Sequence, residues 1–288
     1  MILQETFELN NGVAIPKLGL GTWFIDDSAA DQAVIEATKI GYRHIDTAQA
    51  YGNEVGVGRG VRACGIPRDE LFVVSKVAAE CKDYDSAAKS IDKTLADMGL
   101  DYLDMMIIHS PQPWIDVNTS DDRFFEGNVE AYRALEDALA SGKLRAIGVS
   151  NFLPDDIHNI LDNCSIVPAV NQVLCHVGNT PFELMDFNRT HGILTEAYSP
   201  VAHGAILKNG AIADIAAHYD ATVPQLCIRY CLQLGCVTLP KTANPAHMAA
   251  NAEVDFQITD ADMDALKAMS LKDYGDASVF PVYGGKMR

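Results

Sequence analysis

The chain has 288 residues, 48% of them hydrophobic, enough to bury a sizeable core in one large domain or two small ones. Its formal net charge of -17 repels phosphate backbones, which argues against a nucleic-acid partner and means that an anionic ligand needs a local cluster of donors. The opening MILQETFELN lacks a basic run before an apolar stretch, and no window reaches the ~18 apolar residues of a membrane span, so a cytoplasmic protein with no membrane partner is expected.

In chain order, Thr6 to Ile15 reads as a hairpin turning at Asn11-Gly12. Short apolar runs then alternate with longer amphipathic stretches. The run 18–20 precedes a helix over Ser28 to Ile40, and His44-Ile45 precedes one over Asn53 to Cys64. Runs 71–75, 103–108 and 144–149 precede helices over Ser86 to Met98, Phe124 to Ser141 and Asp155 to Leu161. Run 168–170 precedes Pro181 to Thr190. Run 192–197 precedes two helical pieces, Ile212 to Tyr219 and Val223 to Leu234. Run 236–239 precedes Pro245 to Ala252, and a further helix over Asp260 to Met269 leads into a tail from Ser270 to Arg288. Such alternation implies a parallel sheet covered by helices, and eight units in ~240 residues match a closed (β/α)₈ TIM barrel occupying the whole chain as one α/β domain, 1–288. The alternative, an open doubly wound sheet, would carry GxGxxG after its first strand; Gly56, Gly58 and Gly60 have the wrong spacing.

Seven cysteines are present without a CxxC. Cys227 and Cys231 lie four apart on a predicted helix, but no third ligand has suitable spacing, so buried free thiols are expected rather than a metal.

A barrel places its active site at the C-terminal ends of the strands. There the sequence has Asp46 with Tyr51 five residues on, then Lys76, His109, Ser150-Asn151, Asn171-Gln172, Tyr198-Ser199-Pro200 and Lys241-Thr242. Singly, each has a plain structural reading: a turn-forming Asp, a solvated Lys, a core His. Together, an Asp, a Tyr, a Lys and a His on consecutive strands or loops make an acid–base cluster. Reducing a carbonyl needs a hydride at carbon and a proton at oxygen. Tyr51 can supply the proton, Lys76 can lower the pKa of its phenol from ~10 toward the working range, Asp46 can aim Lys76, and His109 can polarise the substrate oxygen. No side chain gives a hydride, so a nicotinamide cofactor is implied.

The stretch GYRHIDTAQAYGNEVGVGRG (41–60) closely resembles the signature of the aldo-keto reductases, as do KLGLGTW (17–23), VVSK (73–76), GVSNF (148–152), VNQ (170–172), YSP (198–200) and LPKT (239–242). The resemblance covers nearly the whole chain. It implies NADPH-dependent reduction of aldehydes and ketones, α-dicarbonyls or sugar-like carbonyls among them, with Asp46, Tyr51, Lys76 and His109 as the catalytic set. NADH is implied as a weaker cofactor. By the same resemblance Tyr198 stacks on the nicotinamide, and Ser150, Asn151 and Gln172 bond its carboxamide. Asp46, Gly21, Thr22 and Trp23 border that end, Ser199 and Pro200 lie along the pyrophosphate, Lys241 and Thr242 meet the 2′-phosphate, and Asn251 meets the adenine. Trp23, Tyr51, His109 and Trp114 are the expected substrate walls, and the expected state is a monomer. Three positions depart from the family pattern. His247 stands where an Arg is common, Ala250 where a Glu is, and Ser110 where a Trp follows the catalytic histidine. Trp114 is the residue available to refill that wall. The competing functional readings are a cofactor-binding regulatory barrel without turnover and a barrel isomerase or hydrolase of another family.

Overall fold

The computed structural model describes residues 1–271 and 273–287. Strands β1 (Thr6–Glu8) and β2 (Ala14–Pro16) form an antiparallel hairpin with Phe7 opposite Ile15. Gly12 supplies the positive φ of its turn, 82°, which a glycine adopts without a Cβ penalty. Eight parallel strands follow: β3 (Leu20–Gly21), β4 (His44–Asp46), β5 (Phe72–Val77), β6 (Leu103–Ile108), β7 (Leu144–Ser150), β8 (Val170–Leu174), β9 (Leu194–Tyr198) and β10 (Val237–Leu239). They pair in sequence order, and bridges from Leu18 to Thr238 and from Gly21 to Lys241 join the first to the last. The expected (β/α)₈ barrel is therefore present, with its N-terminal hairpin.

Helices α1 (Asp27–Ile40), α2 (Glu54–Ala63), α3 (Tyr84–Met98), α4 (Phe125–Ala140), α5 (Pro154–Asn163) and α6 (Phe182–Thr190) each follow a strand. Both α7 (Gly210–Ala217) and α8 (Val223–Gln233) follow β9. The last unit contributes α9 (Pro245–Ala252), and α10 (Asp260–Lys267) precedes the tail. No helix among the described residues is long and apolar enough to cross a membrane.

The period of two along each strand sorts its side chains. Val73, Val77, Met106 and Ile108 pack outward with the helices. Phe72, Val74, Met105 and Ile107 pack inward with Ala146, Val170, Val237 and the hairpin residues Leu9 and Ile15. The hairpin thus plugs the N-terminal end of the lumen. Carried one step further, the inward phase presents Lys76 after Val74 and His109 after Ile107. The strands also outlast the apolar runs. β8 runs from Val170 to Leu174 rather than over 168–170, so Asn171 and Gln172 are ladder residues; Lys76 and Tyr198 likewise lie within β5 and β9. The upper lumen is polar, so hydrophobicity stops before hydrogen bonding does.

The three glycines of α2 serve packing. A Cβ on Gly56 would lie 2.2 Å from the Asp27 carbonyl oxygen, and one on Gly58 2.2 Å from that of Met98. Only bare backbone lets α2 approach α1 and the end of α3 so closely.

Candidate active site

The C-terminal mouth opens as a cleft of about 450 Å³. At its base Lys76 is fully buried and donates to Asp46 Oδ1 at 2.6 Å, Asp46 Oδ2 at 2.7 Å and the Thr47 carbonyl at 2.9 Å. An ammonium has three N–H groups, and these contacts use all of them. Lys76 Nζ lies 5.1 Å from the centroid of the Tyr51 ring.

The expected direction of the Tyr51 shift needs correction. Burial first, then Asp46, Tyr283 and Glu196, hold its phenol well above the usual range instead of below it. The carboxylate that binds Lys76 also offsets its charge. Tyr51 therefore stays protonated, the form a proton donor needs. Burial first, then the Lys76 charge, holds His109 well below the usual histidine range, so its imidazole is neutral. The His109 ring lies 5.5 Å from that of Tyr51 and meets the edge of Trp114 at 5.0 Å. Trp114 and Trp23 both line the cleft, whereas Ser110 is buried outside it.

The inner polar wall is cross-braced. Ser150 Oγ donates to the Gln172 carbonyl at 2.8 Å, and Asn151 Nδ2 to the His109 carbonyl at 3.0 Å. Tyr198 Oη donates to Asn151 Oδ1 at 2.8 Å. Thr22 Oγ1 donates to the Asp46 carbonyl at 2.9 Å. Gly21, Ser199, Pro200 and Lys241 continue the wall outward. Thr242, His247 and Asn251 do not line the cleft. Thr242 Oγ1 accepts the Asn244 N–H at 3.1 Å, His247 is exposed on α9, and Asn251 is buried there.

Two residues lining the cleft, His203 and Phe280, escaped the sequence reading. Ser199, Ala202 and His203 all have φ near 50°, a left-handed conformation unusual for residues with a side chain. That bend carries the loop after β9 across the mouth, where the His203 ring lies 5.5 Å from Trp23. The tail closes the outer side. Phe280 packs edge-on to Trp23 at 5.2 Å, and Ser199 Oγ bonds Tyr283 Oη at 2.8 Å. Asn118 Nδ2 donates to the carbonyls of Pro281 and Gly285, both at 2.9 Å. Residues 23, 118, 203 and 280 have no local signal linking them. Glu196 had one, as a lone charge in an apolar run.

The groups on this cleft fit a nicotinamide nucleotide: an aromatic face at Tyr198, amide and hydroxyl groups beside it, and an ammonium at Lys241. Comparison with known proteins gives the family. The model of the Aldo/keto reductase family matches residues 17–270. A glyoxal reductase of Bacillus subtilis is 38% identical over 270 residues, covering 93% of this chain and 94% of its own length. An aldo-keto reductase of Mycolicibacterium smegmatis is 37% identical over 268 residues, covering 93% and 94%. The crystal structure of an aldo/keto reductase from Brucella melitensis superimposes with a TM-score of 0.86 at 35% identity, covering 93% of this chain and 98% of that one.

Proposed function

The chain belongs to the aldo/keto reductase family, and on that premise we propose that it reduces aldehydes and ketones to alcohols with NADPH, Tyr51 giving the proton. The observation that carries this reading is the convergence of the Tyr51 phenol and the neutral His109 imidazole on one cleft, above the buried Lys76–Asp46 pair. When bound, the nicotinamide supplies the hydride. His109, as a neutral N–H donor, orients the substrate oxygen. Tyr51 hands its proton to that oxygen as negative charge develops there, and the Lys76 ammonium stabilises the phenolate left behind. Asp46 fixes Lys76 in place. Tyr198 gives the nicotinamide ring a stacking face, and Ser150, Asn151 and Gln172 its hydrogen bonds.

A panel of carbonyls assayed by absorbance of the reduced cofactor, with NADPH and NADH in parallel, tests the reading. Binding of either nucleotide with no turnover of any carbonyl would favour a regulatory barrel instead.

NADPH is preferred because Lys241 offers an ammonium beside the N-terminus of α9, and a charge-assisted contact is worth ~1.5–3 kcal/mol, or about tenfold or more in affinity. His247 sits on the first turn of α9, exposed, where a longer guanidinium could reach back toward Lys241. His247→Arg is expected to tighten NADPH by several-fold and leave NADH unchanged, read as Kd by fluorescence titration. NADH binding as tightly as NADPH in the wild type would end this assignment of Lys241.

The substrate walls are mainly aromatic and aliphatic. Together with the name of the Bacillus subtilis relative, they support small α-dicarbonyls and hydrophobic aldehydes as the substrate class. Trp114→Ala should reorder kcat/KM across the panel, favouring bulkier carbonyls, since it removes the edge that packs on His109. An unchanged ranking would place Trp114 outside the substrate path.

A further inference from the structure

Beneath the catalytic ion pair the lumen holds a second polar chain. Glu196 is fully buried on β9, opposite Gln172 of β8. Gln172 Nε2 donates to Glu196 Oε2 at 2.7 Å and to Asp46 Oδ2 at 2.9 Å. Both amide N–H groups are spent on these oxygens, so toward the cleft Gln172 can only accept. On its other side Glu196 Oε1 faces His44 Nε2 at 3.7 Å, and each of these buried atoms lacks any hydrogen-bond partner among the described residues.

One proton resolves both. His44 Nδ1 faces the Pro16 carbonyl at 3.4 Å, which calls for an N–H there and leaves Nε2 as an acceptor. An acceptor nitrogen opposite an orphan carboxyl oxygen repels it unless that oxygen carries a hydrogen. The surroundings favour the neutral forms. Burial first, then Asp46, raises Glu196 to about 8. Burial likewise lowers His44 to about 4, against the opposing pull of Asp46. The ring also has prepared space: a Cβ at Gly19 would lie 2.8 Å from His44 Cγ.

We propose that Glu196 is a positioning residue of the reductase: as a carboxylic acid it donates to His44 Nε2 and accepts from Gln172, and so fixes which way the Gln172 amide faces. This rests on the reductase reading above. An amide that presents only its oxygen to the cleft selects a ligand that donates there, as a primary carboxamide does through its NH₂. Neutral Glu196 also keeps a second negative charge away from Asp46. Ionised, it would repel Asp46, lose its bond to His44 and raise Tyr51 further.

Glu196→Gln keeps the shape and both bonds, its N–H on His44 and its oxygen toward Gln172, but cannot ionise. Near pH 7 its NADPH Kd and kcat should stay within about twofold of wild type. From pH 7 to about 9.5 the wild-type Kd should weaken at least about threefold more than the variant's, because only the wild type gains the charge. The other facing groups (Tyr51, His44, Asp46 and Lys76) and Lys241 are present in both proteins, so the difference between the two profiles isolates position 196. Identical pH profiles of Kd would overturn the proposal. If NADPH binds but no carbonyl is reduced, the reductase reading fails while the Kd comparison still judges the Glu196 network.

Infrared spectra give a reading that does not need the Glu196 variant to fold. They are recorded in Glu54→Gln, because Glu54 is a second buried carboxyl raised by burial. A protonated-carboxyl band should be present at pH 7 and fade as pH rises through about 8. Its absence at pH 7 would overturn the proposal.

Discussion

Tyr51→Phe is expected to lower kcat for carbonyl reduction by ~10²-fold or more, the usual scale of general acid catalysis, with NADPH affinity nearly unchanged. The variant should fold normally. The ring keeps its contacts with Trp23 and His109, and Lys76 keeps all three of its acceptors. The loss should therefore fall on the chemical step and spare the binding of either ligand. Single-turnover rates with saturating NADPH separate the two. Turnover near the wild-type rate would remove Tyr51 from the role of proton donor.

Lys76→Met is expected to be as damaging to turnover and, unlike Tyr51→Phe, to stability. It leaves the Asp46 carboxylate buried without its counter-charge, a change that costs ~3–5 kcal/mol in comparable buried pairs. The thermal midpoint and kcat should fall together. Adding Asp46→Asn should recover much of the stability, because a neutral amide replaces the stranded charge. It should not recover turnover, since the phenolate formed at Tyr51 would still have no cation beside it. Thermal unfolding and steady-state kinetics on the two variants decide the matter. A double variant that regains wild-type kcat would show that Lys76 is structural only.

The barrel and the polar cluster at its mouth were legible because both follow from short-range patterns. Eight apolar runs marked the strands, and the first polar residue after each run marked the mouth. That rule put Asp46, Lys76 and His109 at the same end of the barrel, where the structure has them, although Lys76 lies inside its strand. It misjudged the sign of the Tyr51 shift, because the sequence shows which charges are near but not how completely Asp46 takes up the lysine's donors. Glu196 and His44 were passed over as ordinary strand residues; only the inward phase of β9 and β4 turns them toward each other. The outer walls were illegible for another reason. Asn118 meets the tail more than 160 residues later, at Pro281 and Gly285, and His203 meets Trp23 from an unusual backbone conformation. No local pattern encodes such contacts.

The hairpin plug has a consequence for traffic. With Leu9 and Ile15 packed against Phe72 and Val74 at the far end of the lumen, the barrel is a blind vessel rather than a channel. The inner wall at Ser150 and Gln172 and the outer walls at Trp23, Trp114 and Phe280 line one cleft at the opposite, open end. A ligand seated at depth and one at the rim therefore share the same open end of the barrel.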